Sequence, residues 1–281
     1  MKIGITGTTG HLGRLVVEKL RERGVADSLV ALVRNPQKAA DLGIESRMFD
    51  YDQPETLTKS LEGIDHLLLI SGNEIGQRKV QHENVIRAAK VAGVQWIVYT
   101  SLLHADTSSL ILADEHLATE AVLKASGLAY TILRNGWYTE NYTASIPGAL
   151  AGGALIGSAG EGKISSAARV DYAEAAAIVL TSPEQEGKVY ELAGDESYTL
   201  ADLAAEISKQ AGKIIPYNNL SESEYAIALK TVGLPEGLAT AFASFDIGAS
   251  KGDLYDNSYI LSKLIGHPTT TLSQVVKEAL A

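Results

Sequence analysis

The chain has 281 residues, 46% of them apolar and 21% charged. That balance excludes a disordered chain and gives length for about two domains. Twenty-four basic residues against 34 acidic ones leave a net charge of −10, which opposes broad contact with nucleic acid or anionic lipid. Cysteine is absent, which excludes a disulfide framework, a thiolate nucleophile, an iron–sulfur cluster and a cysteine zinc site. A reducing, cytoplasmic setting is expected.

Met1-Lys2-Ile3-Gly4-Ile5 enters a strand pattern with no basic-then-apolar leader. No apolar run approaches the ~18 residues of a membrane helix. Strands are expected at residues 2–6, 29–33, 45–49, 66–70, 95–100 and 129–133, most of them apolar on both faces. Between them lie amphipathic stretches. Leu12, Leu15, Val16 and Leu20 form one stripe, with Arg14, Glu18 and Arg21 opposite. Val85, Ile86, Ala89 and Ala92 repeat the pattern before Gly93, read as a helix C-cap. Leu117, Ala121 and Val122 do the same before Ser126-Gly127. This rhythm predicts an α/β fold, a Rossmann-type doubly wound parallel sheet.

After residue 134 the rhythm loosens. Residues 146–162, rich in glycine and containing Pro147, are expected as a loop excursion. Residues 189–192 read as a strand returning to the sheet. Residues 199–281 are mostly helical in pattern, broken by Pro216, Pro235 and Pro268. The expected division is a nucleotide-binding domain over 1–134, rejoined by 169–193. A small, mostly helical lobe over 135–168 and 194–281 is expected to pack at the sheet's C-terminal edge.

The strongest local motif is Gly7-Thr8-Thr9-Gly10-His11-Leu12-Gly13, directly after the first strand and opening a helix. A dinucleotide pyrophosphate needs close backbone approach, unused N–H groups and a helix N-terminus aimed at it. Gly7 suits the tight turn, Gly10 the close approach, and Gly13 the packing of helix on strand. Arg34, after the second strand, offers a charged planar fork to a ribose 2′-phosphate where an acidic residue would favour the 2′-hydroxyl. NADP is therefore the expected cofactor. Asp50, after the third strand, is placed to approach the adenine or to close a surface turn. Ser71-Gly72 marks another close backbone approach, near the riboses.

Extended short-chain dehydrogenases share this glycine pattern and use a tyrosine followed four residues later by a lysine. Counting along Leu112-Ala113-Asp114-Glu115-His116 places Leu112 at the tyrosine position and His116 at the lysine position. The usual proton donor is gone. The glycine loop, Val33-Arg34-Asn35-Pro36, Tyr99-Thr100-Ser101-Leu102-Leu103-His104-Ala105-Asp106, Leu133-Arg134-Asn135-Gly136-Trp137-Tyr138, Glu140-Asn141-Tyr142, Gly248-Ala249-Ser250-Lys251-Gly252 and Leu264-Ile265-Gly266-His267-Pro268 closely resemble bacterial NAD(P)H:quinone oxidoreductases. The group is the flavin-free, zinc-free quinone oxidoreductase 2 type, in the NmrA-like branch of the atypical short-chain dehydrogenases. Triphenylmethane reductase is a more distant likeness.

The resemblance spans the chain. It implies NADPH as hydride donor, a small-molecule quinone as substrate, a C-terminal lobe closing over it, and a homodimer. Hydride addition to a quinone leaves its charge spread over a conjugated ring, so a dedicated acid is less necessary than for an isolated ketone. What remains for the protein is to position two flat rings. His104, His116 and Tyr138 are the candidate catalytic residues. Asn135, Trp137, Tyr138 and Arg169 are candidate cofactor contacts, and Trp137, Tyr138, Asn141 and Tyr142 candidate substrate contacts. Asp171 reads as a helix N-cap. No histidine pair has zinc spacing, so no metal is expected. Three alternatives stand beside quinone reduction: an NADP-binding redox sensor, a reductase of dyes or other conjugated electrophiles, and a flavin quinone reductase.

Overall fold

The computed structural model describes Met1–Ala281 throughout. In chain order its elements are β1 (Ile3–Thr6), α1 (His11–Glu22), β2 (Leu29–Val33), β3 (Glu45–Met48), α2 (Pro54–Ser60), β4 (His66–Leu69), α3 (Arg78–Ala92), β5 (Trp96–Leu102), α4 (Ala113–Ala125) and β6 (Ala129–Asn135). There follow α5 (Thr139–Thr143), α6 (Ile146–Gly152), β7 (Leu155–Gly157), α7 (Arg169–Thr181), β8 (Val189–Leu192), α8 (Leu200–Ala211) and β9 (Tyr217–Asn219). The chain ends with α9 (Glu222–Thr231), α10 (Glu236–Ser250), α11 (Ile260–Ile265) and α12 (Leu272–Leu280). No helix is long and apolar enough to cross a membrane.

Two compact units result: Met1–Ala105 with Asp114–Asn135 and Arg169–Glu191, and Asp106–Ala113 with Gly136–Ala168 and Leu192–Ala281. The sheet runs β3-β2-β1-β4-β5-β6-β8, and the pairings that join β3, β2, β1, β4, β5 and β6 are all parallel. β1, β2 and β5 are buried along their whole length, as the two-sided apolar runs require of a sheet covered on both faces. Helix α1 packs on α7, and α2 on α3. A core of Leu57, Leu61, Ile64, Leu67, Val85, Ile86 and Ile97 fills the space around Tyr99. Edge strand β3 instead carries charge: Glu45 pairs with Lys2 at 2.7 Å and with Arg47 at 2.7 Å, a pattern that discourages further strand addition. The strand order reverses between β1 and β4, the switch point at which doubly wound sheets bind nucleotides, and the glycine loop leaves β1 there.

Two features depart from expectation. First, residues 146–162 are not one loop. Pro147, in the first turn of α6, presets its φ, and Gly153, at φ 79°, closes the helix in the left-handed region. β7 then pairs in parallel with β9, Leu155 opposite Tyr217 and Gly157 opposite Asn219. Second, β5 and β6 run two residues further than their apolar patterns, because Ser101 pairs with Arg134 and Leu102 with Asn135. Among the helices after residue 199, α8 and α9 follow their cap signals. Thr199 with Asp202 and Ser221 with Glu224 form capping boxes on α8 and α9.

Candidate functional site

The loop between β1 and α1 is shaped by what cannot be there. Gly7 sits at φ 64°, open to glycine at no steric cost. The amide of Gly10 donates to its carbonyl at 2.9 Å, closing the turn. A Cβ on Gly13 would collide with the Gly7 carbonyl oxygen and lie 2.7 Å from Thr8 Cα. Gly13 therefore lets α1 pack against its own loop, rather than against a strand. Gly10 is the N-cap of α1 and brings no side-chain acceptor to the first-turn amides. Thr8 Oγ1 is buried without a partner, while Thr9, Gly10 and His11 are exposed and Leu12 is buried. Uncapped amides at the start of a 12-residue helix, an orphaned hydroxyl and absent side chains fit a dinucleotide phosphate.

Other expected cofactor residues follow neighbouring strands of the same unit. Arg34 comes straight after β2 with its side chain 65% exposed, 3.1 Å from the Glu74 carboxylate. Asp50 is held in its own turn, accepting from the Asp52 amide at 3.2 Å and from Gln53 Nε2 at 3.2 Å. The Ser71 and Gly72 amides are also engaged, with Thr100 Oγ1 at 2.9 Å and His82 Nε2 at 2.9 Å. Gly72 is further explained by packing, since a Cβ there would stand 3.1 Å from Gln81 Oε1. Asn135 ends β6; its carbonyl accepts from the Leu103 amide at 3.0 Å, and its Oδ1 is buried and unpartnered. Arg169 is the first residue of α7. Asp171 is not the cap: it lies inside the first turn, buried, because the helix begins three residues earlier than the cap pattern suggests.

The histidines separate by environment. His104 is held at φ 50°, and its amide donates to Glu191 Oε2 at 2.8 Å. His116, in the first turns of α4, is buried with Nδ1 2.8 Å from the Tyr99 hydroxyl. His82 accepts from Gly72 at Nε2, so the proton is on Nδ1 and is donated to Thr119 Oγ1 at 2.9 Å. Burial, reinforced by the nearby Arg78 charge, pushes both imidazoles down to about 3. They are neutral members of a buried polar network. Their folded pKa lies below the unfolded ~6.5, so the unfolded chain binds more protons between the two values. Stability is therefore lost as pH falls below 6.5. For His116→Asn, the stability lost between pH 7 and pH 5 should shrink by about 2 kcal/mol. Turnover should change by less than the ~10²-fold of an essential acid. Chemical unfolding at the two pH values and steady-state rates check both parts.

The sequence motifs did not reveal the clamp beside His104. The Arg134 guanidinium reaches Glu120 Oε1 and Oε2 at 2.8 and 2.9 Å and Glu191 Oε1 at 2.7 Å. Glu120 also accepts from Ser101 Oγ at 2.7 Å and from Lys124 Nζ at 3.1 Å. Burial alone would raise the Glu120 pKa, but the Arg134, Ser101 and Lys124 hydrogen bonds prevail and hold it below the ordinary value. The ends of β5 and β6 are thus fixed to α4, and β8 to β6, by charge-assisted bonds.

In the second unit, α5, β7 and the helices α8, α9 and α10 enclose a small pocket lined by Trp137, Asn141, Tyr142, Tyr225, Phe245 and Asp246, among others. Trp137 stacks edge-on against Phe245 at 5.2 Å. Asn141 and Tyr142 come from α5, while Tyr138 caps that helix and pairs across to Ala167. Three of the four expected substrate residues thus line one cavity, and Tyr138 is not among them. Asp246 was missed, yet it is signalled by its position as the one carboxylate amid the apolar run from Leu238 to Ile247.

The model of the NAD(P)H-binding family matches residues 7–183. Quinone oxidoreductase 2 of Escherichia coli is 60% identical over 277 residues, covering 98% of this chain and 97% of that protein. The crystal structure of the E. coli NADPH-dependent quinone oxidoreductase, complexed with NADPH, superposes with a TM-score of 0.97 at 58% identity, covering 99% of this chain and 100% of that one. The Citrobacter sp. triphenylmethane reductase, complexed with NADP(H), superposes with a TM-score of 0.95 at 38% identity, covering 99% and 100%.

Proposed function

Because this chain belongs to the NAD(P)H-binding family and, within it, to the quinone oxidoreductases of the NmrA-like group, we propose that it reduces quinones by direct hydride transfer from NADPH, with no tyrosine–lysine pair. It is an NADPH-dependent quinone oxidoreductase. The observation that carries the cofactor half is the cradle of Gly7, Thr8, Gly10 and Gly13 around an uncapped helix start. NADPH, when bound, supplies the hydride. Thr8 Oγ1 and the first-turn amides of α1 then receive the pyrophosphate, and Arg34 exchanges Glu74 for the 2′-phosphate. Asn135 Oδ1 is an acceptor for an amide N–H. Trp137, Asn141 and Tyr142 receive the edge of the quinone, with aromatic faces to stack on and polar groups to orient it. The absence of cysteine supports a cytoplasmic setting. The reading includes a homodimer, supported by the family resemblance.

Turnover of a simple benzoquinone with NADPH and with NADH, followed by absorbance, tests this reading. No turnover with either would leave a cofactor-binding sensor. Arg34→Ala extends the test. Losing a charge-assisted phosphate contact of ~1.5–3 kcal/mol should raise KM for NADPH on the order of ten- to a hundredfold and barely alter that for NADH. Equal losses with both cofactors would remove Arg34 from the 2′-phosphate.

A further inference from the structure

We propose that Asp246 is the proton donor to the reduced quinone, holding its acidic proton in the pocket of the second unit beside the Tyr142 hydroxyl; this rests on the quinone-reductase reading above. Asp246 is 4% exposed, and α10 delivers it into a cavity otherwise walled by aromatic and aliphatic side chains. One oxygen, Oδ2, accepts from the Ser158 amide at 2.8 Å. The carboxyl also has the Tyr142 hydroxyl as its neighbour and forms part of the cavity wall. Ionisable groups face the carboxyl from three further elements: Tyr142 of α5, Tyr217 of β9 and Tyr225 of α9. All three are phenols whose ionisation burial opposes, and no lysine, arginine or histidine compensates Asp246.

A carboxylate buried without a cation is costly, and the group answers by keeping its proton. Burial raises its pKa to about 6, against the pull of the Ser158 amide and the neighbouring Tyr142 hydroxyl. The Tyr142 hydroxyl is itself buried and out of hydrogen-bonding geometry with any partner. A carboxyl that keeps its proton up to about pH 6 and a phenol that bears on it therefore share one cavity. Its volume is about 40 Å³, which suits a carbonyl edge rather than a whole ring. A quinone oxygen is an acceptor of that size and gains basicity during the reaction.

The balance is simple. Hydride arrival on the quinone adds two electrons and one hydrogen and leaves one oxygen as a phenolate. The Asp246 O–H bond breaks, its electron pair stays on the carboxylate, and the proton bonds to that oxygen. The products are hydroquinone and NADP⁺, and a proton from water restores the acid. Tyr142 holds the same oxygen by a hydrogen bond that strengthens as charge develops.

The test is steady-state quinone reduction with NADPH between pH 6 and pH 8, for the parent chain, Asp246→Asn and Tyr142→Phe. The parent kcat should fall more than tenfold as pH rises through this range. Asp246→Asn keeps the size and hydrogen-bonding capacity but not the acid. Its kcat at pH 6 should fall about 10²-fold and lose that pH dependence, while NADPH affinity by fluorescence is unchanged. Tyr142→Phe removes the hydroxyl and keeps the ring, so KM for quinone should rise several-fold while NADPH affinity is unchanged. Parent-like kcat and pH profile in Asp246→Asn, with only a lower Tm, would overturn the proposal and leave Asp246 as the anchor of Ser158. Absence of quinone turnover in the parent itself would overturn the functional reading and this one with it.

Discussion

Gly10→Ala is expected to fold like the parent chain yet bind NADPH at least about tenfold more weakly, whereas Gly13→Ala loses both stability and binding. The two glycines lie in one motif but are required for different reasons. Gly10 has φ −86° and ψ 168°, an extended conformation open to any residue, and the nearest atom to an added Cβ is the Gly7 carbonyl oxygen at 3.2 Å. An alanine there asks the Gly7 carbonyl to give by only a few tenths of an ångström, and chiefly obstructs what approaches the helix start. At Gly13 a Cβ drives into the Gly7 carbonyl and approaches Gly7 C at 2.8 Å and Thr8 Cα at 2.7 Å, all backbone. The loop must move off α1, at about 1–3 kcal/mol of overpacking. A misplacement of that kind costs binding and positioning on the order of 10²-fold. Fluorescence titration with NADPH alongside denaturant unfolding separates the two. Unchanged NADPH affinity in Gly10→Ala would show that no phosphate lies against this loop.

Glu120→Ala should destabilise the folded chain by about 3–5 kcal/mol, because it strands the Arg134 guanidinium in a site from which water is excluded. Glu120 is 1% and Arg134 6% exposed, so neither charge can fall back on solvent. Glu191 retains one contact with the arginine but already accepts the His104 amide. Glu120→Gln preserves acceptor capacity for Ser101 and Arg134 and should lose less. Urea unfolding of the two variants gives the comparison. A loss below about 1 kcal/mol in Glu120→Ala would place this pair with exposed ion pairs. The wider consequence is for the site: the clamp fixes the ends of β5 and β6, from which His104 and Asn135 are presented, so its loss should impair turnover even where the chain remains folded.

The two-sided apolar runs from β1 to β6 were legible because each is a local pattern with one structural outcome: a segment apolar on both faces must be covered on both. The glycine loop was legible for a similar reason, since strand, turn and helix start are contiguous over residues 3–13. β7 and β9 were not. Each has three residues, too few for a periodicity, and each forms only because the other, 62 residues away, supplies its hydrogen bonds. The last two residues of β5 and β6 were missed because Ser101, Arg134 and Asn135 are polar. Their place in a buried strand depends on Glu120 arriving from α4.

The amino-acid sequence by itself determined the sheet's class, the phosphate loop, the basic residue after the second strand and the membership of a quinone-reductase group, because these rest on contiguous motifs and on similarity along the whole chain. It also placed His116 where related enzymes carry a lysine. Only the tertiary structure decided what His116 is: a neutral imidazole beneath Tyr99, its proton affinity lowered by burial. It likewise decided that Gly13 answers to its own loop, that the Ser71 and Gly72 amides are engaged internally, and that Asp246 has no cation beside it. Protonation state, burial and unmet hydrogen bonds depend on which distant residues surround a group, and a linear pattern does not carry that information.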